Sequence, residues 1–347
     1  MDRSTAKSKL PDTITSIENL EELLSRPTPE LTAELGALDG DIIILGAGGK
    51  IGPSLARMAK RACPEKKVYA VARFSNSGIA DALAADGIEV VKADLMDRQA
   101  IEKLPNAANV MFLAGQKFGS SGAQSLTWAM NSFMPGLVAE RFRDSRIVAF
   151  STGCVYPFVS VISGGASEDL SPNPPGEYAM SCIGRERIFE YFSQRHNTPG
   201  RLFRLNYAVD LRYGVLVDIA RKVLAGETID VTMGHVNVIW QGDANVMALR
   251  SLAHTTPVTS PINVSGPETI AIRWVAEAFA RRFNKKAVIT GTEAEYAWLT
   301  NTAHANKLFG YPRVPLDLLM DWVADWLVNK REVYDKPTKF EVRDGNY

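Results

Sequence analysis

The chain has 347 residues, 46% of them hydrophobic, with 39 basic and 39 acidic side chains. That is enough for a large core, in one big α/β domain or in a domain plus a lobe. Zero net charge suggests neither a nucleic-acid nor a membrane surface, and no apolar run reaches the ~18 residues of a membrane span.

The three cysteines, Cys63, Cys154 and Cys182, are odd in number and lack metal-ligand spacing. No signal-peptide core is visible. Free thiols in a reducing cytoplasm, and no metal site, are the expectation.

Residues 1–39 form an extension ahead of the first strand. Met1–Pro11 is polar and expected to be mobile. Ser16–Leu24 reads as a short amphipathic helix with Ser16 as N-cap, and Pro27 and Pro29 are read as ending it. The extension is expected to pack against the domain or a partner subunit.

Residues 42–52 read Ile-Ile-Ile-Leu-Gly-Ala-Gly-Gly-Lys-Ile-Gly. Ile42 to Leu45 form an apolar run suited to a buried strand. Gly46, Gly49 and Gly52 follow at three-residue intervals, with Gly48, Lys50 and Ile51 between them, and a helix is expected over Pro53–Ala62. Strand, glycine turn and helix form the architecture that binds a dinucleotide.

From residue 40 to 206 strands and helices alternate, which predicts a Rossmann-type doubly wound parallel α/β sheet. The expected strands are Val68–Ala72, Ile88–Val91, Val110–Ala114, Ile147–Ser151 and Leu202–Leu205. Gln124–Phe142 and Tyr178–Gln194 are the expected long helices. Residues 207–330 read as a smaller substrate lobe, with helices at 215–225, 243–253, 270–283 and 315–329. Its strands are expected at 229–232, 236–240 and 261–264. Residues 331–347 form a polar tail that wraps the surface.

The second strand ends Val71-Ala72-Arg73-Phe74-Ser75-Asn76. An acid there would grip both ribose hydroxyls of NAD, and none is present. Arg73 would instead pair with a 2′-phosphate, so NADP is the expected cofactor, with NAD possible. In the lobe, Asn206, Tyr207, Arg212, His235 and Trp240 lie near the expected cleft. Asn206 and Arg212 are candidate substrate contacts, Arg212 for a carboxylate or phosphate. His235 and Trp240 are read as core residues.

Taken in order, these segments resemble the extended short-chain dehydrogenase/reductases, the NAD-dependent epimerase/dehydratase family, over roughly residues 40–330. The glycine turn is similar to that family's GxxGxxG form. The resemblance implies that Asp94-Leu95 contact adenine and that Leu113-Ala114-Gly115 lie beside the cofactor ribose. It gives Asn131 a structural water to hold. Phe150-Ser151-Thr152-Gly153-Cys154-Val155-Tyr156 resembles the segment carrying the catalytic hydroxyl, on Thr152 with Ser151 beside it. Glu168 and Pro174–Tyr178 resemble the approach to the catalytic tyrosine, Tyr178. Asp243, Asn263-Val264-Ser265-Gly266 and Asn306-Lys307-Leu308-Phe309-Gly310 resemble later family signatures.

One departure stands out. The family pairs its tyrosine with a lysine four residues later, and here Cys182 stands in that place. The lysine holds the nicotinamide ribose and lowers the tyrosine pKa. Shifting a tyrosine from ~10 toward neutrality takes about 4 kcal/mol of electrostatic help, which a neutral thiol does not give. Lys117, just past the fourth strand, is the candidate replacement; its plain alternative is a solvated loop charge.

Two functions follow from this resemblance. One is an oxidoreductase or epimerase on a hydroxylated or keto small molecule (sugar, sugar acid or nucleotide sugar), favouring carbonyl reduction. The other is a non-catalytic or regulatory NADP-binding protein of the same descent. A homodimer is expected through Gln124–Phe142 and Tyr178–Gln194, whose apolar residues include Leu126, Met130, Phe133, Met134, Leu137, Val138, Ile183, Ile188, Phe189 and Phe192.

Overall fold

The computed structural model describes residues 10–75, 77–117, 119 and 122–345. Most of the polar segment expected to be mobile, residues 1–9, and the last two residues of the tail lie outside the described residues, as does Asn76.

Seven strands form one sheet in the order β7-β6-β5-β4-β1-β2-β3. They are β1 (Ile42–Leu45), β2 (Val68–Ala72), β3 (Glu89–Lys92), β4 (Asn109–Phe112), β5 (Arg146–Thr152), β6 (Gly200–Leu205) and β7 (Ser260–Val264). Every pairing is parallel. All four residues of β1 are buried, as a strand covered on both faces requires. The strand order reverses between β1 and β4, so their carboxyl ends open a crevice.

The strand at 261–264 corrects the expectation. It does not belong to the lobe but pairs with β6 as the seventh strand of the large sheet. Arg201 makes that join specific, donating to His254 O at 2.7 Å and Ser260 Oγ at 2.7 Å. The Gln241–Arg250 helix likewise lies on the sheet's flank, buried along its length against the Gly52–Ala62 helix.

The N-terminal extension packs on its own chain. Ser16 caps the Ile17–Leu24 helix by accepting from Asn19 N. Leu20, Leu23 and Leu24 enter the core of the lobe, formed with the Val215–Ala225, Ile272–Phe283 and Leu316–Val328 helices. Pro29 does not simply end this helix. It opens a second one, Pro29–Ala37, capped by Thr28, because proline's missing N–H costs nothing in a first helical turn.

The long Gln124–Phe142 helix is broken into Gln124–Trp128, a π-helical turn Ala129–Phe133, and Met134–Arg141. Pro135 cannot donate to the carbonyl of Asn131, and Arg185 Nε takes that oxygen at 3.4 Å instead. The tail is anchored rather than loose. Phe340 is buried in the lobe core, Tyr334 N donates to Arg212 O, and Lys222 pairs with Glu341.

Candidate active site

The glycine turn is set by contacts that exclude side chains. Gly46 has φ 96°, and a Cβ there would stand 2.6 Å from Ala114 N. At Gly52 a Cβ would stand 2.4 Å from Ala47 O. The turn thus closes β1 against the loop after β4 and seats the Gly52–Ala62 helix. At Gly49 the only neighbour of such a Cβ is Gly46 O at 3.5 Å, so that position faces open space.

Two adjoining cavities lie along the carboxyl edge of the sheet. The first, about 390 Å³, is lined by Gly46, Gly48, Gly49, Arg73, Asp94, Leu95, Leu113, Ala114 and Gly115 among others. Nearly the whole expected adenosine-side set therefore converges. Ala72 and Ser75 flank Arg73 in the same wall. Asp94 Oδ1 is held by Met96 N at 2.9 Å.

The second cavity, about 280 Å³, shares Leu113 and Gly115 with the first. It brings together Lys50, Ile51, Lys117, Ser151, Thr152, Tyr178 and Asn206. The turn is divided between the two: Gly46, Gly48 and Gly49 line the first cavity, while Lys50 and Ile51 line the second.

Thr152, ending β5, accepts from Cys154 N at 3.1 Å and so caps the turn Gly153–Val155. Ser151 donates to Glu186 Oε1 at 2.5 Å, and Glu186 is paired with Arg204 in a buried bridge. Ser151, expected beside the catalytic hydroxyl, lines the cavity with its own hydroxyl donating to Glu186. Glu168 accepts from Asn263 N, and Tyr156 donates to Asn263 Oδ1, tying this segment to β7.

Tyr178 lies in the first turn of the Glu177–His196 helix, with Cys182 buried one turn on. Burial pushes the Tyr178 phenol well above its ordinary value, reinforced by Cys182 and Cys154 and opposed by Arg185. Burial raises the Cys182 thiol to about 11. Both are neutral at pH 7. The Lys117 ammonium stands 5.8 Å from the centre of the Tyr178 ring, and burial lowers its pKa.

The Asn131 side chain locks the loop after β4 to the tyrosine helix. Its Oδ1 accepts from Gln116 N and Arg185 Nη2, and its Nδ2 donates to Gln116 O and Ser181 Oγ. Arg212 is also corrected. It does not line the cavity; its guanidinium is paired with Asp210 at 2.8 Å and Glu21 at 2.7 Å, joining the lobe to the N-terminal helix. Tyr207 lines the second cavity with a positive φ of 41°, a strained setting for a bulky side chain. Trp240 is core, as expected.

Arg185 and Thr338 escape the sequence reading, and Lys50, expected at the cofactor turn, lines the second cavity instead. Arg185 is seven positions after Tyr178, on the same helix face, a spacing that could have shown it. Its guanidinium is fixed on Phe150 O at 2.8 Å and Asn131 Oδ1 at 2.7 Å. The Lys50 side chain reaches past the turn to lie 3.7 Å over the Tyr213 ring. Burial pushes its pKa down to about 7. Thr338, from the tail, lines the same cavity and carries no sequence signal at all.

A parallel sheet with a glycine turn at its switch point and a tyrosine helix beside it defines a dinucleotide-binding protein of Rossmann type. Residues 42–243 match the NAD dependent epimerase/dehydratase family, and the chain belongs to it. Among solved structures, MoeE5 with UDP-glucose and NAD aligns at a TM-score of 0.67 and 20% identity, covering 84% of this chain and 99% of that one. UDP-glucose 4-epimerase from Thermotoga maritima, with UDP-glucose, aligns at 0.69 and 15%, covering 83% and 99%. UDP-glucuronic acid 4-epimerase from Bacillus cereus, with NAD, aligns at 0.68 and 18%, covering 83% and 99%. A search of curated protein sequences finds no match. Among the described residues no helix is long and apolar enough to cross a membrane, and no group of side chains is suited to hold a metal ion.

Proposed function

We propose that the chain is an NADP(H)-dependent oxidoreductase or epimerase acting on a hydroxylated or keto small molecule related to sugars. One observation carries the reading: Tyr178 and Thr152 line a cavity that shares Leu113 and Gly115 with the glycine-turn cleft. The residues suit a dinucleotide, because open glycine backbone, Arg73 and Asp94 share one groove. A bound nicotinamide cofactor supplies hydride exchange with a substrate carbon.

The chain's own residues then handle the oxygen. Thr152 and Tyr178 orient a carbonyl or hydroxyl, and Tyr178 gives or takes its proton. A phenol held neutral is a competent acid and a poor base, so reduction is favoured near neutral pH. Lys117 and Arg185 place positive charge near the tyrosine without making it a phenolate. Arg73, with Ala72 leaving room beside it, supports NADP over NAD.

Ser151's engagement with Glu186 and the neutral Cys182 favour the second reading, an NADP-binding protein without turnover. A reduction screen over ketones, sugars and sugar acids, followed by nicotinamide absorbance, separates the two. The three free, buried thiols support a reducing, cytoplasmic setting.

A homodimer is part of the proposal. Much of the apolar set named for it, including Met134, Leu137, Val138 and Phe189, belongs to the chain's own core. Leu126, Trp128, Phe133, Met180 and Tyr191 are left exposed on the two helices and support the interface.

A further inference from the structure

We infer that the second cavity holds a small substrate by an anionic group, a carboxylate or a phosphate, with Lys50 as its principal contact. The inference rests on the reading of this cavity as the substrate site and deepens it.

The charged side chains lining the cavity, among the described residues, are Lys50, Lys117 and Arg185; no carboxylate lines it. Arg185 is already occupied by Phe150 O and Asn131 Oδ1. The Lys50 ammonium lies over the face of Tyr213, with no carboxylate in salt-bridge range among the described residues. The nearest acids are engaged elsewhere. Asp210 is bound by Arg212, Asp218 accepts from Thr338 N and Oγ1, and Glu341 is paired with Lys222. A buried ammonium with no carboxylate in direct contact, its nearest acids Asp210 and Asp218 acting only at a distance, is stabilised by an incoming anion. Burial is the main cause of the low Lys50 pKa, about 7, with Lys117 and Arg212 adding to it and Asp210 opposing it.

Size narrows the class. The cavity's 280 Å³ is at the small end of the roughly 300–1,000 Å³ of ligand sites, and the reacting end of a cofactor must share it. Thr338, from the tail, is part of its wall. A monosaccharide-sized acid or phosphate fits this space. Thr152, Asn206 and Tyr178 remain to meet its uncharged oxygens.

The test uses the full-length protein saturated with NADP+, titrated calorimetrically with malonate, inorganic phosphate and UMP at constant ionic strength. Malonate probes a carboxylate source, phosphate a phosphate source, and UMP a nucleotide substrate. Malonate or phosphate is expected to bind once per chain. Lys50→Met should weaken that binding at least tenfold, and Lys50→Arg should retain most of it. NADP+ affinity should stay within twofold in both variants, because Lys50 lines the second cavity and not the glycine-turn cleft. The inference is overturned if neither small anion binds, if Lys50→Met binds them as well as the unmutated protein, or if Lys50→Met loses NADP+ affinity instead. Tighter binding of UMP than of either small anion overturns the size argument and with it the inference. If NADP+ itself fails to bind, the functional reading falls separately, and the same titrations on the bare protein still decide the role of Lys50.

Discussion

The neutral state of Tyr178 has a measurable consequence for the direction of reaction. Burial holds the phenol well above its ordinary value, and the family's lysine position is occupied by Cys182, itself neutral up to about pH 11. Oxidation of an alcohol needs the phenolate, whose population rises about tenfold, or about 1.4 kcal/mol, for each pH unit below the pKa. The oxidative rate should therefore climb close to tenfold per unit between about pH 7 and 9. Reduction uses the protonated form and should stay nearly level over that range. Placing a cation within about 4–6 Å lowers such a pKa by roughly 1–3 units. Cys182→Lys should shift the oxidative profile to lower pH by that amount, if the helix accommodates the longer side chain among Val155, Tyr156 and Ala166. Lys117→Ala tests the cation already present 5.8 Å from the ring and should move the profile the other way. The assay is initial rate by nicotinamide absorbance in both directions across the pH series. An oxidative rate that is flat with pH and unmoved by Lys117→Ala would refute the reasoning.

Arg73→Ala should remove most of the preference for NADP over NAD, a loss of about 1.5–3 kcal/mol for a charged hydrogen bond, read by calorimetry of both cofactors. Equal affinities in the unmutated protein would contradict the assignment. Asp243 accepts from Arg313 N and Val314 N, both at 2.9 Å, and burial raises its pKa to about 6. The folded state thus binds this proton more tightly than the unfolded one. Its stabilising contribution is full below about pH 4, is lost as pH rises toward 6, and amounts to about 2–3 kcal/mol. Asp243→Asn should flatten that slope in denaturation curves, whereas Asp243→Ala should cost about 1–3 kcal/mol by orphaning the buried Val314 N–H and the partly buried Arg313 N–H. Light scattering at micromolar concentration should give a dimeric mass, and Phe133→Glu with Leu126→Glu should reduce it to a monomer.

The parallel core was legible because its strands are short apolar runs between glycine and helix signals. Ile42–Leu45 needed no tertiary information. Strand β7 was harder: Ser260 and Pro261 open it, it lies on an edge, and it follows segments that belong to the lobe, so only the pairing with β6 reveals its sheet. The first cavity was almost fully readable, since backbone turns and strand ends place Gly46, Arg73, Asp94 and Gly115 without help from distant chain. The second was read in part. Tyr178 and Thr152 were named from their local segments. The paths of the Lys50 side chain, Tyr213 and Thr338 depend on how the lobe and tail fold over the sheet, which no local pattern encodes. Arg212 shows the converse error. A basic residue near a cleft looked like a ligand contact, yet Asp210, two positions earlier, and Glu21 in the N-terminal helix claim it.

The central claim is that Tyr178 does chemistry next to a bound dinucleotide. The most direct measurement is NADPH consumption over a panel of ketones, sugars and sugar acids, by the unmutated protein and by Tyr178→Phe. In parallel, calorimetry confirms that both proteins bind NADPH alike. Substrate-dependent consumption is expected to fall by at least 100-fold in the variant while cofactor affinity is unchanged, the loss of a proton donor being worth about 10²–10⁴ in rate. Equal consumption by the two proteins, or tight NADPH binding with no turnover on any member of the panel, would contradict it.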